Sequence, residues 1–202
     1  MRELECLILE NKFQGNDVQD IFSGLDEKVD AIYKHQSLMM VYQKLPRDYD
    51  LGYFMSEVEA HALNYIRREP GMTAKRLGEI MYRTKGTIST LLSQLEKGGF
   101  IEQKTNSENL REHQIYLTEK GEEVCVKHTA YDRRTTSNYL SSIAEHCTAE
   151  EINGFFKVTH YRCEWLEQTI ARERKYYNDV KNKERAKISN SGSSYIKDPS
   201  SK

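Results

Sequence analysis

Thiols and imidazoles are the side chains of this chain most able to do chemistry, and their placement limits what they can do. The four cysteines, Cys6, Cys125, Cys147 and Cys163, stand 119, 22 and 16 residues apart, with no Cys-x-x-Cys pair. That spacing fits isolated thiols of a cytosolic protein, not a disulfide scaffold or a zinc ribbon. The six histidines, His35, His61, His113, His128, His146 and His160, are scattered. Cys125 and His128 are three residues apart on a helical stretch, a spacing that two metal ligands can use, but no second Cys/His pair accompanies them. Glu3 and Glu5 precede Cys6 and would raise its pKa, which argues for an inert thiol. There is no Gly-rich phosphate loop, no Gly-x-Ser-x-Gly and no His-Glu-x-x-His. The expectation is a protein that is not an enzyme, with no catalytic residues, no cofactor and no metal.

Recognition chemistry is legible instead between Thr84 and Gly98. Thr84 is a helix N-cap and Gly98-Gly99 a stop. Between them Ile88, Leu91, Leu92 and Leu95 share one face at helical spacing. The opposite face carries Gly86, Thr90, Ser93 and Lys97, flanked by Ser89 and Gln94, with no acid near its centre. An ordinary solvated helix face mixes Glu and Lys. Small hydroxyl and amide groups beside lysine suit the major groove of DNA: they fit, they donate and accept, and phosphate does not repel them. Arg83, Lys85 and Thr87 extend this surface around the helix start, and Lys104 adds a cation just beyond its end.

The elements that must hold this helix can be read around it. Ser56 and Glu59 form a capping box that opens a helix with Ala60, Leu63 and Ile66 buried, and Pro70-Gly71 stops it. Thr73 caps a short helix with Leu77, Ile80 and Met81 on one face. Tyr82-Arg83 joins it to the helix above. Phe100–Thr105 and Glu112–Leu117 alternate as strands around the polar turn 106–111. The order is a helix-turn-helix followed by a β-wing. Over the whole chain, 30 basic residues meet 31 acidic ones in 202, for a net charge of −1. From Thr73 to Lys104, however, six basic residues face three acids, a local excess of +3.

These residues resemble the winged-helix core of the MarR family of transcriptional regulators over 55–124. The segments TKGTISTLLSQLEKGGFI and IYLTEKG carry the resemblance. Family members typically place Asp-x-Arg at the wing tip, with the arginine entering the minor groove. The aligned residues here are Asn109 and Arg111, so the resemblance implies a DNA contact for Arg111 without the acid that usually holds it. It further implies that the first and last helices form a dimer interface.

The flanking sequence agrees in kind. A first helix is expected over Leu25–Leu45, with Leu25, Val29, Ile32 and Met39 as its apolar groups, followed by a loop over Arg47–Met55. Tyr33, Met39, Tyr42, Tyr49, Tyr53 and Phe54 are candidates either for core or for the lining of a ligand cleft. After the wing, Thr118 caps a helix to about Ser142, and Thr148 with Glu151 opens a long one from Ala149 toward Val180. There Ile152, Phe156, Thr159, Cys163, Leu166 and Ile170 step by 4, 3, 4, 3 and 4, an a/d seam that asks for a partner helix. Ile152, Phe156, Cys163, Leu166 and Ile170 are the candidate dimer interface. The termini differ in charge: −5 over residues 1–30 and +5 over 172–202. No apolar run approaches the ~18 residues of a membrane span, and the acids in MRELECLILE exclude a secretory signal.

The expected fold is mostly α with a small β-wing, a winged helix-turn-helix core flanked by N- and C-terminal dimerisation helices. Its divisions are an acidic extension (1–24), an N-terminal helix and loop (25–55), the winged domain (56–118), dimerisation helices (119–180) and a basic, Ser-rich disordered tail (181–202). The expected function is that of a cytoplasmic homodimeric transcriptional regulator bound to a pseudo-palindromic double-stranded operator. Such a protein would be a repressor released by a small aromatic effector, with no membrane partner. Two alternatives stay open: the same scaffold gated by cysteine oxidation or a metal, and a winged-helix interaction module that does not bind DNA.

Overall fold

A computed structural model describes residues 20–105 and 112–192, with side chains described through residue 183. The chain divides into two compact units, Met1–Arg134 and Thr135–Lys202. The first unit contains α1 (Leu25–Tyr42), β1 (Arg47–Asp48), β2 (Phe54–Met55), α2 (Glu57–Arg68), β3 (Met72–Thr73), α3 (Ala74–Ile80), α4 (Lys85–Lys97), β4 (Ile101–Thr105) and β5 (His113–Leu117). It also takes the first part of α5 (Glu119–Ile143), and the second unit is dominated by α6 (Ala149–Gly192). No helix among the described residues is long and apolar enough to cross a membrane.

The core of the first unit forms where the expected apolar stripes meet. Ala60, Leu63 and Ile66 of α2, Leu77 of α3, and Ile88, Leu91, Leu92 and Leu95 of α4 are buried together with Ile101 and Ile115 of the wing. Removing that much apolar surface from water is the main term holding the unit together. The helix starts are capped as their sequences require. Ser56 N–H donates to Glu59 Oε2 at 2.8 Å, and Glu59 N–H donates to Ser56 Oγ at 3.3 Å. Thr73 Oγ1 accepts from Arg76 N–H at 3.2 Å, and Thr84 Oγ1 from Thr87 N–H at 3.3 Å.

Several expectations need correction. The wing sheet has three antiparallel strands, in the order β3-β5-β4, not two. Ile115 pairs with Gln103 on one side and Met72 on the other. A two-residue strand carries too few residues to show alternation. The segment read as a loop over Arg47–Met55 closes into a minimal hairpin, Arg47 opposite Met55 and Asp48 opposite Phe54. Asp48 Oδ1 organises its turn by accepting from Leu51 N–H at 2.7 Å and Gly52 N–H at 3.1 Å. Helix α1 ends at Tyr42 rather than Leu45 and buries none of its residues. The division at 118/119 does not separate packing units: Val124, Cys125 and His128 of α5 are fully buried in the winged core.

In the second unit, Thr148 N–H donates to Glu151 Oε2 at 2.7 Å and Glu151 N–H to Thr148 Oγ1 at 3.2 Å. The Thr148 N–H, together with the Thr148 hydroxyl that donates to the same Oε2 at 2.9 Å, holds the Glu151 carboxyl below its ordinary pKa. Helix α6 runs on to Gly192, so the break expected at residue 181 falls inside it. Residues 181–191 contain no Pro or Gly, and their composition is compatible with continued helix.

Candidate nucleic-acid interface

The outer face of α4 is built by the burial of its inner one. With Ile88, Leu91, Leu92 and Leu95 held inward, Lys85, Gly86, Thr87, Ser89, Thr90, Ser93, Gln94 and Lys97 all stand exposed, with Arg83 and Thr84 exposed before them. The sequence therefore assigned the two faces as the structure has them. The hydroxyls on the outer face are not equivalent. Thr84 Oγ1 and Thr87 Oγ1 are hydrogen-bonded to each other at 2.9 Å, and Thr90 Oγ1 donates to Gly86 O at 3.2 Å. Among the described residues, the side chains of Ser89, Ser93 and Gln94 make no such bond, so their full hydrogen-bonding capacity faces outward.

Charge on this side is sorted by local pairing. Glu79 lies 4.0 Å from Lys75, and Glu102 pairs with Lys104. Glu96 accepts from Gln103 Nε2 at 3.0 Å. The acids of the segment are thus engaged beside the helix, while Arg83, Lys85 and Lys97 project from it. Lys104 is exposed on β4, and Glu102 raises its pKa above the ordinary value. Asn109 and Arg111 lie outside the described residues, as does Cys6.

Both ends of α4 are tied to the rest of the unit. At its start, Arg83 N–H donates to Gly78 O at 3.0 Å, across a turn in which Tyr82 takes a positive φ of 53°. At its end, Phe100 N–H donates to Leu95 O at 3.0 Å. The following helix then closes on the same place: Thr118 N–H donates to Phe100 O at 3.1 Å, Thr118 Oγ1 to Gly99 O at 2.7 Å and Lys120 Nζ to Gly98 O at 2.8 Å. Gly121 allows this approach, because a Cβ there would sit 2.2 Å from Phe100 O.

The ligand-cleft candidates separate. Tyr49 is core, its ring edge-on to His128 at 4.9 Å, and Tyr53 packs against Phe100 at 5.8 Å. Phe54 and Tyr33 are exposed, and Tyr42 stacks under the Arg47 guanidinium at 3.8 Å. A cleft of about 310 Å³ does exist beside α2, but Val58, Tyr65, Ile80, Met81, Tyr82 and Arg83 are among the residues that line it. The sequence did not mark them as a cleft, because they come together from α2, the end of α3 and the turn after it.

Sequence spacing also missed a polar cluster inside the first unit. His61 of α2 and His128 and Asp132 of α5 each bring one ligand-type atom within 4.8 Å of the other two. His128 Nδ1 lies 3.0 Å from Asn64 Nδ2 and 3.3 Å from Asp132 Oδ2. Burial holds the His128 imidazole below its ordinary pKa, against the opposing pull of Asp132. Cys125, the neighbour singled out in the sequence, is not part of this cluster. It is buried, and burial pushes its thiol up to about 11.

Comparison with known proteins bears on the same residues. Residues 55–113 match the model of the MarR family. The HTH-type transcriptional regulator PetP of Rhodobacter capsulatus is 35% identical over 60 residues, which are 30% of this chain and 36% of PetP. The HTH-type transcriptional regulator SarZ of Staphylococcus aureus is 30% identical over 89 residues, 44% of this chain and 57% of SarZ. The chain thus spans about a third of one of these relatives and somewhat over half of the other. Among solved structures, Streptococcus pneumoniae FabT in complex with DNA shares the fold, with a TM-score of 0.53 at 24% identity over 71% of this chain and 96% of that one.

Proposed function

We propose that this chain, whose residues 55–113 match the model of the MarR family, is a member of that family and a homodimeric, sequence-specific DNA-binding transcriptional regulator that acts as a repressor released by a small ligand. The observation that carries the reading is the exposed face of α4: Ser89, Ser93 and Gln94 with outward hydrogen-bonding capacity, between the cations Arg83, Lys85 and Lys97. In the major groove such side chains reach base edges while the cations meet phosphate. FabT, which shares the fold, was solved with DNA. PetP and SarZ carry regulator names.

The dimer in this reading is formed by α6 with the N-terminal helix. Ile152, Phe156, Cys163, Leu166 and Ile170 lie on one seam, and Phe156, Cys163 and Ile170 are exposed in the single chain. A two-fold dimer presents two recognition helices to half-sites about one DNA turn, ~34–36 Å, apart. Arg111 at the wing contacts the minor groove, where a narrow A·T-rich stretch concentrates negative potential. A small aromatic effector seats in the cleft beside α2, where Ile80 and Met81 offer apolar surface.

The test is binding of the purified chain to an operator selected from random duplexes. Ser93→Glu and Thr90→Glu abolish binding with helicity retained by circular dichroism. Retained binding by both variants would overturn the assignment of α4 as the reading helix.

A further inference from the structure

We propose that His128 is a proton-operated latch between α5 and α2: neutral, its Nδ1 accepts from Asn64 and ties the two helices together; protonated, the same nitrogen donates to Asp132 of its own helix and releases α2. The geometry gives one nitrogen two partners. Asn64 Nδ2 lies 3.0 Å from His128 Nδ1, and Asp132 Oδ2 lies 3.3 Å from it. The amide nitrogen can only donate, and the ionised carboxylate can only accept. The Asn64 amide is fixed in that sense by its other bond, a donation to Ala60 O at 3.2 Å. Nδ1 cannot serve both partners at once, so the proton on it decides which one is bonded. The bond to Asn64 joins α5 to α2, whereas Asp132 stands four residues on along α5. Protonation therefore exchanges a bond between helices for one within a helix. With a donor and an acceptor both on Nδ1, the cluster is built for proton exchange and not for holding an ion.

Burial selects the form that the closed arrangement holds. The His128 side chain is 1% exposed. With Nδ1 accepting, the hydrogen of the neutral ring sits on Nε2, which is buried without a hydrogen-bond partner. A second proton would put a full charge on a ring that already leaves one N–H unsatisfied. Burial is the largest influence on the imidazole and holds it below its ordinary pKa. Asp132 on α5 and Glu57 on α2 pull the other way, whereas His61 on α2, edge-on at 4.9 Å, and Arg47 on β1 reinforce burial. Tyr49, from the turn after β1, adds an uncharged ring edge-on at 4.9 Å.

The sign of the pH dependence follows. Once α5 opens, the exposed ring takes up its proton at the ordinary value of about 6.5. The closed form is fully favoured above that pH and loses ground below it, by up to about tenfold per pH unit for one proton. Helix α5 starts at the bonds from Thr118 and Lys120 that fasten the end of α4, so a single proton acts on the mounting of the exposed helix. The inference concerns α2 and α5 alone and does not rest on DNA binding.

The experiment follows the imidazole Cε1 protons of the full chain by nuclear magnetic resonance across an acid-to-neutral titration. His128→Gln identifies the His128 signal by its loss, and the parent signal titrates below the ordinary value. Asn64→Leu removes the donor that favours the neutral ring and moves the midpoint up. Asp132→Asn removes the acceptor that receives the charged ring and moves it down, each by at least about half a unit. Should His128→Gln not fold, the signal that moves in opposite senses in the two partner variants identifies His128 by itself. Deuterium exchange of α5 amides, corrected for the chemical rate, opens more readily below about pH 6.5 in the parent. A parent midpoint at or above the ordinary value would overturn the latch. So would midpoints that move the same way in both partner variants or not at all, or α5 exchange that ignores pH.

Discussion

Three threonines at the start of α4 and along it read alike in the sequence and do different things. Thr84 and Thr87 share a hydrogen bond at the helix start, and Thr90 returns its proton to the Gly86 carbonyl. Ser93 has no such commitment among the described residues. Thr84→Ala therefore acts on the fold: losing this N-cap costs about 1 kcal/mol of stability, measurable as a lower urea midpoint. Ser93→Ala leaves that midpoint where it was and weakens operator affinity by about 1 kcal/mol, read by titration at fixed salt. Cysteine chemistry divides in the same manner. Burial raises the Cys125 thiol to about 11, so at pH 8 it is almost wholly protonated as well as shielded. The thiolate is the reactive form. Mapping by iodoacetamide and mass spectrometry should find Cys147 alkylated in the native protein and Cys125 alkylated only after unfolding.

At the scale of elements, the tightest requirement falls on a residue with no side chain. A Cβ on Gly121 would stand 2.2 Å from Phe100 O, so Gly121→Ala must push α5 away from the wing or break the bonds that Thr118 makes there. The expected loss is about 3 kcal/mol, at the upper end for overpacking a tight site, seen as a fall in the denaturation midpoint. Much of this architecture was legible in advance because it rests on local signals. Capping pairs such as Ser56–Glu59 lie three residues apart, and the stripe from Ile88 to Leu95 declares its own period. What escaped was what depends on distant partners. Strand β3 exists only because Met72 meets Ile115, and the hairpin at Arg47 only because Met55 returns to it. The cluster at His61 and His128 was hidden for the same reason. His128 looked paired with Cys125 along the sequence, whereas the fold turns it toward α2.

At the scale of the whole molecule, the prediction concerns association. Phe156 and Ile170 are exposed in the single chain, as are Val158, Tyr161 and Trp165 on other faces of α6. Phe156→Asp or Leu166→Asp places a charge in the proposed interface, at a cost of several kcal/mol if it is fully desolvated. Sedimentation should then find monomers, and DNA affinity should fall although no DNA-facing residue was changed. Cys163 provides an internal probe of the same equilibrium. It is exposed in one chain and lies on the seam, so its alkylation should slow as protein concentration rises while that of Cys147 does not. Arg111→Ala belongs at this scale too. Removing one phosphate-linked cation per wing makes the salt dependence of binding shallower by about two for the dimer.

The knot at Phe100 has a consequence for motion. The C-terminal end of α4 is fastened to α5 by three bonds from Thr118 and Lys120, beside a glycine contact that admits no slack. Its N-terminal end is held by a capping threonine and by a turn in which Tyr82 occupies a backbone region costly for a residue with a Cβ. The free energy of local opening should therefore climb along the helix. Amide protons near Thr87 and Ile88 should exchange with deuterium through small fraying events, and those of Leu95 and Phe100 only when the whole unit comes apart. The end that would enter DNA first is thus the end able to adjust its pitch on arrival, while the far end holds the register.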